Sequence, residues 1–363
     1  MKAAVLYEFR EPMVVEDADL DEPRQGEVLV RLAASGVCHS CLHAADGSWD
    51  WAIVPSVLGD EGAGIVQAVG AGVTTLQPGD HVILSWSPTC GRCRYCVTGR
   101  PQLCERRPGA GYLYDGTTRI HVRGKDIKHF GPSTYASEMV VPENSAVKIR
   151  DDMPLDKAAL IGCAVTTGAG AVINTARVRA GASLAIFGTG GIGLNAIQGG
   201  RLSGAYPLIA VDVADNKLEF ARSLGATHTV NGARENVVEA IRALTDGRGA
   251  EYTVVAVGSV PAMQQAWDGL APGGTCVVIG APASGERMTV DPLNLYRDEK
   301  HLTGSRYGSA RVFDDFGRFV DLYLGGRLEL DALVTKQYGL DDINEAHRAL
   351  AAGENMRGLI LFS

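Results

Sequence analysis

Through about the first 155 residues, apolar positions come in short valine-rich runs broken by glycine and proline. Examples are Glu27-Val-Leu-Val-Arg-Leu, Gly64-Ile-Val-Gln-Ala-Val and Gly79-Asp-His-Val-Ile-Leu. Runs of this length between turn residues predict short, twisted strands and a β-rich domain. From about residue 165 the pattern changes to buried strands alternating with helices. Ser183-Leu-Ala-Ile-Phe predicts a buried strand, followed by a glycine turn and a helix through Gln198. Pro207 to Asp212 predicts the next strand and Asn216 to Leu224 the next helix. Glu251 to Val257 and Thr275 to Gly280 continue the series. That alternation predicts a doubly wound parallel sheet. Beyond about residue 305, an amphipathic helix (Phe313 to Leu324) and a last strand (Gly358 to Phe362) are expected to return to the first domain.

Composition narrows the class. A chain of 363 residues exceeds the usual limit of one core, so two domains are expected. With 46% hydrophobic and 21% charged residues it has an ordinary globular make-up, and a net charge of −8 argues against nucleic acid as a partner. The opening Met1-Lys-Ala-Ala-Val-Leu-Tyr meets Glu8 too early for a signal peptide, and no run of about 18 apolar residues is apparent. Neither membrane nor export is therefore expected, and the eight cysteines suggest metal or redox chemistry in a cytoplasmic protein.

Four of those cysteines carry the strongest signal. Cys90, Cys93 and Cys96 recur at every third position and Cys104 closes the group. Three thiols so spaced cannot all pair with one another, whereas a short loop of four suits tetrahedral zinc. Gly91 lets the loop turn, and Arg92, Arg94, Arg100, Arg106 and Arg107 offset part of the thiolate charge. A structural zinc is expected there.

A second motif follows a predicted strand directly: Gly188-Thr-Gly190-Gly191-Ile192-Gly193, opening a helix. In that setting the first glycine makes the turn, the second admits a pyrophosphate and the third lets the helix pack closely. Asp212 ends the following strand, 19 residues after Gly193, where a carboxylate can accept from ribose hydroxyls and repel a 2′-phosphate. Lys217 could reinforce that contact. NAD(H) is thus expected over NADP(H).

With these motifs in hand, the chain resembles the zinc-dependent medium-chain alcohol dehydrogenases over essentially its whole length. The resemblance rests on Gly36-Val-Cys38-His39-Ser40, Gly59-Asp60-Glu61-Gly62-Ala-Gly64, the cysteine lobe, Gly162-Cys163 and the glycine fingerprint. It implies a GroES-like β-rich catalytic domain over 1–164 and 306–363, and a Rossmann cofactor domain over 165–305, with the active site in the cleft between them. It implies cofactor contacts from His39, Val257 and Arg357, and a proton relay through Ser40 and His43. Trp49 and Trp86 align with substrate-pocket positions and would favour a flat or aromatic alcohol or carbonyl substrate. The long segment from Asp115 to Thr134 resembles the extended substrate loop of dimeric members. A homodimer is therefore expected, joined near Met288-Thr-Val.

The chain departs from the family at the catalytic metal. The family's ligands fall on Cys38, position 60 and Cys163, but position 60 is Asp60 where the family has histidine. Cys41 stands where the family has a supporting aspartate. Three arrangements remain open. Asp60 ligates zinc through oxygen; or Cys41 joins Cys38 and Cys163, with Asp60 or Glu61 completing the set; or the catalytic metal is absent. A carboxylate in place of imidazole makes a two-thiolate zinc site formally negative, which weakens it as a Lewis acid. The leading expectation is a zinc- and NAD-dependent alcohol dehydrogenase or carbonyl reductase. One rival is a reductase of activated C=C or C=N bonds, with Ser40 or Tyr114 as proton donor in place of the metal. A catalytically silent nucleotide-binding protein is the other.

Overall fold

The protein is described by a computed structural model covering residues 1–362. It divides into two compact units, Met1–Cys163 with the chain from Arg311 onward, and Ala164–Ala310.

The first unit is built on strand Glu27–Gly36, whose even positions Val28, Val30, Leu32 and Ala34 are buried while Arg31 is exposed. This two-residue period puts one face of the strand into the core. It centres a seven-stranded sheet in the order Ala146–Lys148, His81–Leu84, Gly62–Val69, Glu27–Gly36, Arg357–Leu361, Val334–Tyr338, with Glu138–Pro142 also paired to the central strand. The pairing is close: a Cβ at Gly64 would fall 2.2 Å from the Arg31 carbonyl oxygen. The C-terminal strand enters antiparallel, Ile360 facing Ser35.

A second sheet contains the segment expected as an extended loop. It is instead a hairpin, Ile120–Val122 against Lys125–His129, turned by Arg123 (φ 51°) and Gly124 (φ 75°). Ile120, Val122 and Ile127 are buried on one face, which pulls the segment into regular pairing. Buried Arg119 anchors it, with two hydrogen bonds to Glu27 (2.6 and 2.9 Å) and one to Asp115 (2.7 Å).

The second unit is a six-stranded parallel sheet in the order His228–Asn231, Leu208–Asp212, Leu184–Phe187, Ala250–Val255, Leu270–Val278, His301–Gly304. That order reverses direction at Leu184–Phe187 and places the fingerprint at the switch point. The helix after it runs from Gly191 to Ser203, five residues past the expected end, until Gly204 takes a left-handed φ of 74° and stops it. Met288-Thr-Val is not a strand. The free edge on that side is His301–Gly304, exposed throughout. One helix, Leu155–Ala176, is long and apolar enough to cross a bilayer by length and composition. With 83% of its apolar window buried inside the protein, it is a core helix.

Candidate functional site

The cysteine lobe has little structure beyond its thiols: a one-turn helix Arg94–Val97 and the short turn Pro101–Leu103. Gly91 sits at φ 69°. The four sulfurs lie within 4.8 Å of one another. Backbone amides already point at them, from Cys93 to Cys90 Sγ (3.3 Å) and from Cys90 to Cys104 Sγ (3.4 Å). The amides of Cys96 and Glu105 hold the Cys93 thiol down at about 6, while burial, and then Cys93, push Cys96 up to about 12. Four sulfurs this close, with backbone amides aimed at two of them, form a donor set suited to one tetrahedral cation. A zinc fits this set.

The second cluster is assembled from distant segments of the first unit. Cys38 precedes the short helix His39–Ala45. Asp60 leads into strand Gly62–Val69 behind Gly59, whose φ of 105° and contact with Thr134 leave no room for a side chain. Cys163 lies on the π-helical stretch Ile161–Val165 of the core helix, a local widening often found at functional sites. The ligand atoms of Cys38, Asp60 and Cys163 lie within 4.8 Å of one another, and all three residues are buried. Hydrogen bonding from Cys163 holds Cys38 well below the usual thiol range. Hydrogen bonding with Cys38 and burial push Cys163 up, and burial and the Cys38 charge raise Asp60 to about 8. Three acidic groups in one buried pocket cannot all ionise alone, but a divalent cation would let them. The donor set fits zinc here as well.

The remaining expected ligands stand elsewhere. Cys41 lies outside the three-atom set, its Sγ 3.7 Å from Asp60 Oδ1. Glu61 is also outside it and forms a buried ion pair with Arg357. This gives Arg357 another partner than the expected pyrophosphate. A buried guanidinium needs a carboxylate nearby, and its charge also lowers the pKa of both Cys38 and Asp60. His39 is exposed on the first turn of its helix. Ser40 Oγ lies 3.4 Å from Cys38 Sγ, and the Ser40 hydroxyl also bonds Asp60. His43 lies in the last turn of that helix and tilts against Trp49, with ring centroids 5.4 Å apart.

Trp49 begins an aromatic run that the sequence reading captured only in part. Trp49 stacks on Trp51 (4.8 Å), and Trp51 on Phe130 (5.6 Å, 7° between planes). The next residue, Gly131, runs close beside Trp86: a Cβ there would lie 3.2 Å from that of Trp86 and 4.0 Å from that of Asp60. Trp86 and the run therefore border the metal-ligand cluster. Trp51 and Phe130 were missed because 79 positions separate them, although Trp49 and Trp51 at alternate positions were a visible hint. Tyr114, the alternative proton donor, is bonded to Asn144 Nδ2 (3.0 Å), and burial, then the charges of the cysteine-lobe thiols, raise its pKa, so it belongs to the lobe and not to this cluster.

In the second unit the glycines meet their three requirements. Gly188 takes φ 85°, a Cβ on Gly193 would fall 1.8 Å from the Gly188 carbonyl, and Gly190 faces open space at the start of the helix containing Gly191 and Ile192. Val257 packs on Gly188. Asp212 Oδ2 accepts from the Thr189 amide (2.7 Å) and hydroxyl (3.0 Å), which fixes the carboxylate beside the fingerprint. Lys217 lies in the following helix, Asp215–Ser223.

Comparison with known proteins agrees with this geometry. Residues 24–151 match the alcohol dehydrogenase GroES-like domain, and residues 191–324 match the zinc-binding dehydrogenase family. The chain is 40% identical to S-(hydroxymethyl)glutathione dehydrogenase of Paracoccus denitrificans, covering 99% of each chain. Benzyl alcohol dehydrogenase from Acinetobacter calcoaceticus superposes with a TM-score of 0.94 at 33% identity, covering 100% of this chain and 99% of that one. A zinc-binding dehydrogenase from Sinorhizobium meliloti, bound to NADP, superposes at 0.83 with 26% identity, covering 99% of each.

Proposed function

Because the chain belongs to the zinc-dependent medium-chain alcohol dehydrogenases, enzymes that interconvert alcohols and carbonyl compounds with zinc and a nicotinamide cofactor, we propose that it interconverts an aromatic primary alcohol and its aldehyde using NAD(H). Cys38, Asp60 and Cys163 would hold a catalytic zinc, and Cys90, Cys93, Cys96 and Cys104 a structural one. The observation that carries the reading is the convergence of three buried acidic ligand atoms within 4.8 Å.

When bound, the zinc supplies Lewis acidity and the nicotinamide accepts or donates the hydride. The protein's own groups do the rest. Cys38, Asp60 and Cys163 bring three negative charges, and Arg357 stands close enough to temper them. Ser40, within reach of both Cys38 and Asp60, is placed to take the alcohol proton. His43 lies one helical turn further on and would pass that proton toward solvent. Trp49, Trp51, Phe130 and Trp86 would exclude water and favour a flat ring, in keeping with the benzyl alcohol dehydrogenase likeness.

Metal analysis of the purified protein, combined with NAD-linked oxidation of benzyl alcohol, tests the reading. Two zinc ions per chain and turnover of that alcohol are expected. A single zinc, with reduction of an activated alkene and no alcohol oxidation, would overturn it. Cofactor choice should rest on Asp212: the wild type should prefer NAD(H) strongly, and Asp212→Ala should relax that preference toward NADP(H) by removing charge repulsion. Equal kcat/KM of the wild type with both cofactors would contradict this.

The assembly we infer is a homodimer. Strand His301–Gly304 leaves a sheet edge open, and Leu293, Tyr296 (82% exposed) and Leu302 are exposed on and near it. An open edge bordered by apolar side chains is a natural pairing surface. Light scattering should report a dimer at micromolar concentration; a monomer would exclude this assembly.

A further inference from the structure

A buried series of hydrogen bonds leads from Asp60 into the first unit. Asp60 divides its oxygens: Oδ2 lies 3.7 Å from Cys163 Sγ, while Oδ1 lies 3.7 Å from Cys41 Sγ. The Tyr135 hydroxyl and the Gly59 amide both bond to Cys41. Tyr135 Oη in turn lies 3.2 Å from His347 Nε2, with the two rings edge to face at 5.6 Å. Cys41 and Tyr135 are fully buried and His347 is 7% exposed. These residues come from three separate places: the helix after Cys38, the segment after the hairpin, and the C-terminal helix Ile343–Ala351.

One direction of donation serves every member. Burial keeps His347 neutral, holding it down at about 4, so only one of its nitrogens carries a proton. With that proton on Nε2, His347 donates to Tyr135, Tyr135 donates to Cys41, and the Cys41 thiol donates to Asp60 Oδ1. The reverse direction would leave Asp60, an acceptor, without its donor from Cys41. A thiol is a weak donor by itself; a phenol and an amide behind it polarise the S–H bond and strengthen it.

We propose that Cys41, Tyr135 and His347 are positioning residues that make Asp60 a one-oxygen metal ligand, with Oδ1 occupied by Cys41 and Oδ2 presented beside Cys38 and Cys163. Cys41 is then not itself a ligand. The inference rests on the metal site proposed above. Its logic is that of outer partners that orient a ligating side chain. A carboxylate with both oxygens free could turn away or bind through both. Fixing one oxygen removes those options.

The test uses the full-length protein, with metal removed from this site by a chelator while the lobe zinc is retained, and then titrated with cobalt(II). Tyr135→Phe and Cys41→Ala should weaken cobalt binding by about 10- to 100-fold and shift its visible absorption. Cys41→Ser and His347→Gln, which keep a donor, should recover affinity to within a few-fold of wild type. Retained lobe zinc in each variant reports an intact fold. Wild-type affinity and spectrum in both Tyr135→Phe and Cys41→Ala would overturn the inference alone. So would loss of one thiolate-to-cobalt band in Cys41→Ala, which would make Cys41 a ligand. Failure of the wild type to take up cobalt at this site would overturn the metal reading and this inference with it.

Discussion

Asp60→Ala should remove one of the two metal ions for which the protein has ligand sets and lower kcat/KM for alcohol oxidation by about 10³-fold or more, on the scale of losing a preorganised charge-stabilising group. The expectation follows from how the pocket is balanced. Asp60 is raised to about 8 by burial and the Cys38 charge, so its ionised form depends on a cation being present. Without its carboxylate, Cys38 and Cys163 offer only two ligand atoms in the cluster, too few for a stable tetrahedral site. Asp60→His is the informative partner. Two thiolates and a neutral imidazole balance a divalent cation, so the site becomes formally neutral instead of negative. A less negative site stabilises developing charge on the reacting oxygen better. The rise of kcat/KM with pH should then move to lower pH in Asp60→His while metal content stays at the wild-type value. Metal analysis and a pH–rate profile on both variants decide the matter. Unchanged zinc content in Asp60→Ala, with activity preserved, would exclude Asp60 as a ligand.

Cys96→Ser should lose the other zinc and lower Tm by roughly 10 °C or more, since a structural zinc contributes folding free energy directly. The lobe has almost nothing else to hold it. Its helix is four residues long, Val97 is 67% exposed, and Cys93 and Cys104 are themselves among its few buried side chains. A segment with so little apolar burial stays ordered only through its cation. The fingerprint belongs to the other compact unit, so NADH binding, followed by nicotinamide fluorescence, should persist at low temperature. Full zinc content and an unchanged melting curve in this variant would refute a four-thiolate site.

The sequence by itself determined what the covalent chain holds together. Cys90, Cys93, Cys96 and Cys104 fall within 15 residues, so their convergence needs only a turn at Gly91. The fingerprint is equally local: a strand, three glycines with fixed spacing, and a helix. Strand Glu27–Gly36 was legible because alternate burial repeats every two residues along one segment. Element ends were less legible, since a helix continues until a residue such as Gly204 can leave it. The segment from Asp115 to Thr134 was misjudged for a related reason. Its polar ends resemble a loop, but Arg119, besides its local partner Asp115, is anchored by Glu27, 92 positions away.

Tertiary structure alone decided the setting of the second metal cluster. Asp60 announced itself as a departure, yet nothing near it in the chain says which groups would share its burial. Arg357 reached Glu61, and His347 reached Tyr135 across 212 positions. A charged or polar group sealed from water must be matched, and the cost of leaving it unmatched is several kcal/mol wherever the partner lies. Sequence spacing constrains neighbours within a few residues of each other. It places no such constraint on partners brought together when separate strands and helices close around one core.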